Sequence, residues 1–94
     1  MKKRTSGTDL SKMLEVSPAR GMEAVMKAQL ISAVLKAVEK QGLTHAELAK
    51  RSGLPRSAVT GILSGSLQKV TIDRVLRLIE GVGMVAEVRI REAA

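Results

Sequence analysis

Apolar residues recur at helical spacing in several successive stretches of the chain, and the first covers residues 23–41. Spacings of three and four residues bring its apolar side chains onto one face of a helix. The residues that share this face are Leu30, Ile31, Val34, Leu35 and Val38. Gly42 follows directly, and glycine is common where a helix ends in a left-handed conformation. The pattern predicts a first helix with one buried side that ends before Gly42.

The signals at the start of this helix conflict. Ser17 followed by Pro18 is typical of a helix N-terminus, because serine caps the first turn and proline fits the first helical position. Gly21 lowers helix stability, so the start is predicted nearer to Met22. Residues 1–20 are then predicted to form a flexible basic segment. Its stretch DLSKMLEV is compatible with either a turn of helix or a short strand.

Two short helices are predicted next, joined by a turn that contains Gly53. Thr44 caps the first of them, and Glu47 three residues later completes a capping box, in which each side chain bonds the backbone N–H of the other residue. Gly53 ends this helix, and Pro55 presets the start of the next one. The apolar stripe of the second short helix consists of Val59, Ile62 and Leu63.

A fourth helix is predicted after Thr71, whose hydroxyl is a typical helix cap. Asp73 lies in its first turn, where a carboxylate interacts favourably with the helix dipole. Gly81 and Gly83 interrupt the pattern. The predicted buried face consists of Ile72, Val75, Leu76, Ile79 and Val82.

The period changes in the last segment of the chain. Alternation over residues 84–91 predicts a β-strand with one buried face. A lone strand has an unpaired edge and needs a partner. We expect the same strand of a second subunit, paired antiparallel across a two-fold axis; the alternative partner is the N-terminal segment, folded back as a strand. The residues predicted to form the dimer interface are Met84, Val85, Ala86, Val88 and Ile90.

These elements predict an all-α fold of four to five helices with one C-terminal strand. A short helix, a turn containing glycine and a second short helix form a helix-turn-helix signature, and residues 21–94 are assigned to this domain. Burial of the apolar stripe leaves an outer face on the second motif helix, made of Arg56, Ser57, Thr60 and Gly61. Such a face has the size and chemistry to enter the major groove of DNA.

Composition narrows the class of partner. The chain has 94 residues, enough for one small domain, and a formal net charge of +7. This charge favours an anionic partner such as nucleic acid or a membrane surface; a well-solvated surface is the alternative. Proteins that bind RNA or single strands usually stack bases on aromatic rings, and the chain has no Phe, Tyr or Trp. Duplex DNA is therefore the expected partner.

Other functions are disfavoured. With one His, no Cys and no close carboxylate cluster, the sequence offers no catalytic triad or metal site, so neither an enzyme nor a cofactor is expected. No apolar run follows the basic start MKKR, so we expect no export, and no stretch approaches a membrane span. The absence of cysteine suits a reducing cytoplasm, the expected location. The five methionines are expected to fill the core; a binding surface is the alternative.

The stretch LTHAELAKRSGLPRSAVTGILSG, residues 43–65, resembles the helix-turn-helix of the Cro/repressor-type, or XRE, family. Members of that family typically read Thr-Gln-x-Glu-Leu-Ala, then Gly-Ile-Ser, then Val-Ser-x-Ile-Leu-x-Gly. The matching positions are Thr44, Glu47, Leu48, Ala49, Gly53, Val59, Ile62, Leu63 and Gly65. The wider frame, residues 22–90, is similar to that of the lambda-repressor-like fold in short XRE proteins that occur as HigA-like antitoxins and as phage or plasmid regulators.

The resemblance implies which side chains meet DNA. The family's base-reading positions fall on Arg56, Ser57 and Thr60. Its next reading position is Gly61, which has no side chain, so less direct readout is implied. His45 replaces the family's Gln, and Pro55 replaces a Ser that often caps the helix or meets phosphate. Contacts to the DNA backbone are expected from Thr44, His45, Lys50, Arg51, Pro55, Gly61, Ser64 and Lys69.

Each of these assignments has a plainer alternative. Arg56 would otherwise be a solvated surface charge, and Ser57 and Thr60 would only keep the outer face polar. His45 is interpreted as a phosphate donor, with a proton-linked switch as the alternative. The lysines and Arg51 are solvated unless DNA lies against them.

The functional hypothesis is a homodimeric repressor that occupies a palindromic operator and blocks RNA polymerase at a nearby promoter. Two recognition helices about 34 Å apart would read half-sites one DNA turn apart. The alternative is an antitoxin or other antagonist that binds a protein partner, such as a toxin, through its N-terminal segment and regulates its own operon. A co-activator bridging protein is a third interpretation with the same fold.

Overall fold

The computed structural model describes residues 18–67 and 69–93, and within them the chain forms four α-helices and no β-strand. In chain order, α1 spans Pro18–Gln41, α2 spans His45–Ser52, α3 spans Arg56–Leu63 and α4 spans Ile72–Gly81. The helical part of the predicted fold is confirmed. Residues 18–20 belong to α1, so this helix accommodates Gly21. The predictions for residues 1–17, including the cap at Ser17 and a strand that folds back, lie outside the described residues.

Local bonds fix the ends of α2 as the sequence predicts. The hydroxyl of Thr44 accepts from the N–H of Glu47 at 3.0 Å, and the N–H of Thr44 donates to Glu47 Oε1 at 2.8 Å, which completes the capping box. The pKa of the Glu47 carboxyl is lowered, chiefly by the bond from the Thr44 N–H. Gly53 follows α2 with a φ of 76°, where a residue with a Cβ would be strained, and its N–H donates to the Ala49 carbonyl at 2.9 Å.

The four helices share one core. α4 packs against both α1 and α2, while α3 packs on α2 and contacts α1. Each helix contributes at least one fully buried side chain, and the largest of these are Leu48, Leu78, Val34, Val59 and Val75. Burial of one such side chain stabilises the fold by about 1.5–3 kcal/mol. The two motif helices are therefore held in place by α1 and α4.

Two leucines predicted to face the core do not. Leu35 is 43% exposed and Leu76 is 41% exposed. Leu78, which is absent from the predicted buried face, is fully buried in α4. The buried positions of this segment are Val75, Leu78, Ile79 and Val82. They follow the three- and four-residue spacing of one helical face, and Leu76 lies at its edge.

The C-terminal strand that the alternation predicts is not formed in the single chain. Residues 84–93 have no regular secondary structure, and the last backbone hydrogen bond of the described residues runs from the Met84 N–H to the Ile79 carbonyl at 3.0 Å. A strand needs a neighbouring strand to bond its N–H and C=O groups, and none lies among the described residues. Of the five residues assigned to a dimer interface, only Met84 packs against the core. The other four are exposed: Val85, Val88 and Ile90 are 87%, 73% and 90% exposed, and Ala86 is exposed as well.

The first turns of α1 expose apolar side chains. Met22, Val25 and Met26 are all exposed. The expectation that methionines fill the core is therefore wrong for two of them, while Met84 is half-buried against it. Over residues 18–67 and 69–93, none of the helices combines the length and the hydropathy that crossing a bilayer requires.

Two glycines inside helices lead to opposite stability predictions. A Cβ at Gly61 would meet no atom within 4 Å, whereas a Cβ at Gly81 would lie 3.0 Å from Leu48 Cδ1 and 3.4 Å from Ser52 Cβ. Alanine is favoured over glycine in helices, so Gly61→Ala is expected to raise the free energy of unfolding by about 0.5–1 kcal/mol. Gly81→Ala is expected to lower it, because Leu48 is fully buried and must move. Urea denaturation followed by circular dichroism measures both; an equal gain for both variants would contradict this packing.

Candidate nucleic-acid interface

α3 has a buried face and an outer face. Val59 and Ile62 are buried in the core. Arg56, Ser57 and Thr60, the predicted base-reading residues, are all exposed. Gly61 beside them is half-buried, with open space where its side chain would be. The structure thus presents the predicted side chains together on the surface that packing leaves free.

The start of α3 has no side-chain cap. Pro55 precedes the helix, rather than forming its first helical residue, and makes no capping hydrogen bond. The first backbone N–H groups of α3 therefore lack the hydroxyl acceptor that a serine at position 55 would supply. Such N–H groups, at the positive end of the helix dipole, suit a phosphate. The exposed guanidinium of Arg56 adds a formal positive charge at the same end.

A side-chain hydrogen bond connects the two motif helices. His45 Nδ1, on the first residue of α2, lies 2.9 Å from Thr60 Oγ1 on α3. From the sequence, His45 is predicted to contact a phosphate and Thr60 to contact a base, with no link between them. They are 15 positions apart, and no local pattern signals the bond. In the structure, the two side chains form one hydrogen-bonded pair.

Two hydroxyls assigned to the DNA backbone differ in the proton that they can offer. Thr44 Oγ1 accepts from the Glu47 N–H, so its own proton is not used by that bond. Ser64 Oγ donates its proton to the Thr60 carbonyl at 2.6 Å. Phosphate oxygens only accept hydrogen bonds, so a hydroxyl must donate to them. Thr44 is suited to a phosphate contact, whereas Ser64 must first break its bond to the Thr60 carbonyl.

The motif has an excess of positive charge. Over residues 43–65 the basic side chains are Lys50, Arg51 and Arg56, and the one carboxylate is Glu47. Glu47 is engaged in the capping box, and Arg51 contributes to the lowered pKa of its carboxyl. The remaining predicted phosphate contact, Lys69, is exposed on the connection that leads to α4. These cations provide an electrostatic attraction for a polyanion.

The turn between α2 and α3 depends on the side chain of Ser52, for which the sequence pattern predicts no role. Ser52 is buried, and its hydroxyl donates to the Ala49 carbonyl at 3.4 Å and accepts from the Leu54 N–H at 3.3 Å. These bonds satisfy backbone groups on both sides of Gly53. A serine in the last turn of a basic helix gives no sequence signal of this role, since its burial depends on the neighbouring helices.

The arrangement of α2 and α3 is that of a helix-turn-helix, and the comparison with known families agrees. The chain belongs to a family of helix-turn-helix domains, whose family model matches residues 9–91. This membership supports a DNA-binding regulator. No curated protein and no solved structure matches the chain significantly.

Proposed function

We propose that this protein is a sequence-specific regulator of transcription that binds duplex DNA with α3 in the major groove. The observation that carries the proposal is the outer face of α3, which is exposed and polar while its opposite face is locked into the core by Val59 and Ile62. An α-helix fits the major groove of B-DNA, where each base pair has a distinct pattern of donors and acceptors. In this role the protein catalyses no reaction. It acts on DNA in the cytoplasm.

The contacts divide into those that position and those that specify. Arg56, Ser57 and Thr60 read bases, and the guanidinium of Arg56 suits the O6 and N7 acceptors of guanine. Phosphates are held by the basic side chains of α2, by Lys69 and by Thr44, whose proton is available. This division follows the resemblance to the XRE family, with Gly61 as a position that contributes space rather than a contact.

The proposed regulator is a homodimer joined through its C-terminal segments. Val85, Val88 and Ile90 are exposed in the single chain, where they keep apolar surface in contact with water. Antiparallel pairing of residues 85–90 with a second copy would bond the backbone and bury one apolar face. A two-fold axis also relates two recognition helices to the two halves of a palindromic operator. Occupancy of that operator would repress a nearby promoter by excluding RNA polymerase.

An antitoxin or other antagonist is the second candidate, and one surface favours it. Met22, Val25 and Met26 are exposed at the start of α1, and in the sequence they closely follow the N-terminal segment. Flexible methionine side chains adapt to a protein partner, so this surface would extend a site formed by that segment. DNA binding would then serve autoregulation. Coexpression with the products of the flanking genes discriminates the two candidates, because only the antagonist copurifies with a neighbouring protein and suppresses its toxicity.

Binding to duplex DNA is expected to depend steeply on salt. If six or more phosphates are contacted, affinity falls at least about a thousandfold between about 50 and 200 mM salt, because binding releases counterions from the DNA. Fluorescence anisotropy with labelled duplexes measures the slope, with single strands of the same sequence as the control. A flat response, or equal affinity for single strands, would argue against the proposal.

Arg56→Ala is expected to reduce sequence discrimination. It should cost about 1–3 kcal/mol on the preferred site and less on other duplexes, because a base contact is lost. Lys50→Ala is the matched control: it removes the same charge from an exposed position and should weaken all sequences about equally. The site is first selected from random duplexes, and affinities are then compared on selected and scrambled sequences. Unchanged discrimination in Arg56→Ala would exclude Arg56 as a base reader.

Val88→Asp is expected to dissociate the dimer, since a charge on the paired apolar face would lose its hydration. Arg89→Ser is the control, because it lowers the net charge by the same single unit at the neighbouring, opposite-facing position. Sedimentation at micromolar concentration reports the oligomeric state, and footprinting reports whether both half-sites are protected. A dimer that persists in Val88→Asp would place the interface elsewhere, and a wild-type monomer would overturn the assembly.

A further inference from the structure

We propose that His45 determines whether Thr60 offers DNA a hydrogen-bond donor or an acceptor, and thereby selects the bases that Thr60 reads. The inference rests on the proposed function, in which α3 enters the major groove. Its structural basis is the contact of 2.9 Å between His45 Nδ1 and Thr60 Oγ1. A positioning residue on α2 thus controls the chemistry of a reading residue on α3.

The protons of this pair are limited. A neutral imidazole carries one N–H and a threonine one O–H, so one of two protons lies in the shared bond. When Nδ1 carries the ring proton, His45 donates and the hydroxyl proton of Thr60 stays free to donate outward. When Nε2 carries it, Thr60 donates to Nδ1 and its oxygen offers only lone pairs. Either Thr60 or His45 Nε2 is then an outward donor, but not both.

Two residues that follow Thr60 in the chain, Gly61 and Ser64, do not compete with His45 for its hydroxyl. Ser64 Oγ donates its proton to the Thr60 carbonyl at 2.6 Å, so it does not compete for the Thr60 hydroxyl. Gly61, the next residue, has no side chain, and open space lies where its Cβ would be. On this side of Thr60, a base edge can therefore approach the hydroxyl without meeting a side chain at position 61.

A DNA phosphate selects one of the two states. Phosphate oxygens accept hydrogen bonds and do not donate them, so a phosphate beside His45 favours the ring with its proton on Nε2. Lys50 and Arg51 on the same helix attract the DNA backbone to α2. Thr60 is then an acceptor, which suits the N6–H of adenine or the N4–H of cytosine. Guanine and thymine present acceptors at the corresponding positions and are disfavoured.

Selection from random duplexes tests the consequence for base preference. The wild-type protein should prefer adenine or cytosine at the position that Thr60 contacts, and Thr60→Val should lose that preference. His45→Lys replaces the ring with a group that only donates, which obliges the hydroxyl of Thr60 to accept from it and frees its proton. The preference should then move to guanine or thymine by about fivefold, the size of one net hydrogen bond.

A matched variant separates this effect from added charge. Ala46→Lys introduces the same ammonium at the exposed neighbouring position, so it should raise affinity for all duplexes without moving the preference. If His45→Lys behaves like Ala46→Lys, the inference fails while the proposed function stands. If the wild-type protein selects no sequence from the duplex pool, the proposed function itself fails.

The ring can also be observed directly, because His45 is the single histidine of the chain. Labelling histidine with ¹⁵N gives NMR signals from one imidazole, whose two nitrogen shifts identify the protonated atom. In the complex with the selected duplex, in mildly alkaline buffer, we expect the proton on Nε2 and a bare Nδ1. A proton on Nδ1, or on both nitrogens, would overturn the inference, and a merely structural role for His45 would not predict that DNA fixes one tautomer.

Discussion

Burial of one apolar side of α2 and α3 is the interaction on which the rest of the structure depends. Each of these helices has eight residues, and isolated helices shorter than about 12–15 residues are marginal in water. Leu48 and Val59 are fully buried, and this burial supplies the stability that length does not. The capping box adds a smaller local contribution at the start of α2. Because the buried inner faces supply the stability, the residues on the outer face of α3 can suit a binding partner without a loss of stability.

The close approach of α4 to α2 transmits this constraint to the candidate interface. A Cβ at Gly81 would meet Leu48 Cδ1 at 3.0 Å and Ser52 at 3.4 Å, so glycine lets the two helices pack tightly. Ser52 bonds the turn before α3, and Leu48 fills the core beside it. A change at Gly81 therefore acts on the turn that orients α3, although Gly81 lies on α4. The contacts of Gly81 with Leu48 and Ser52 therefore affect both the stability of the fold and the orientation of α3.

The sequence predicts those features that depend on a few neighbouring residues. The caps at Thr44 and Thr71 and the left-handed Gly53 are set within one helical turn, and each occurs as expected. The choice between Leu76 and Leu78 could not be made in this way, because both are apolar and only the directions of α1 and α2 decide which is buried. Their positions along one helix do not contain that information.

The lack of a C-terminal strand in the described single chain and the unforeseen His45–Thr60 bond have the same physical origin. Alternation over residues 84–91 defines two faces of an extended segment but does not supply the neighbour that a strand must bond. Likewise, His45 and Thr60 are both plausible polar contacts, and only the crossing of α2 and α3 brings Nδ1 within 2.9 Å of the hydroxyl. Local residue types fix what a group can do, whereas the fold fixes which group it meets.

The exposed C-terminal segment and the start of α3 are two surfaces that would each bind a partner in the proposed complex. Binding at one surface would favour binding at the other. The C-terminal segment exposes Val85, Val88 and Ile90, and the start of α3 has no side-chain cap. A two-stranded ribbon alone is marginal, but an operator that holds two subunits on adjacent half-sites raises the effective concentration of one segment near the other. Pairing of the two C-terminal segments would in turn make binding to the second half-site an intramolecular step. Since this coupling is reciprocal, weak pairing of two subunits and weak binding to each half-site would together make the proposed complex tight and selective.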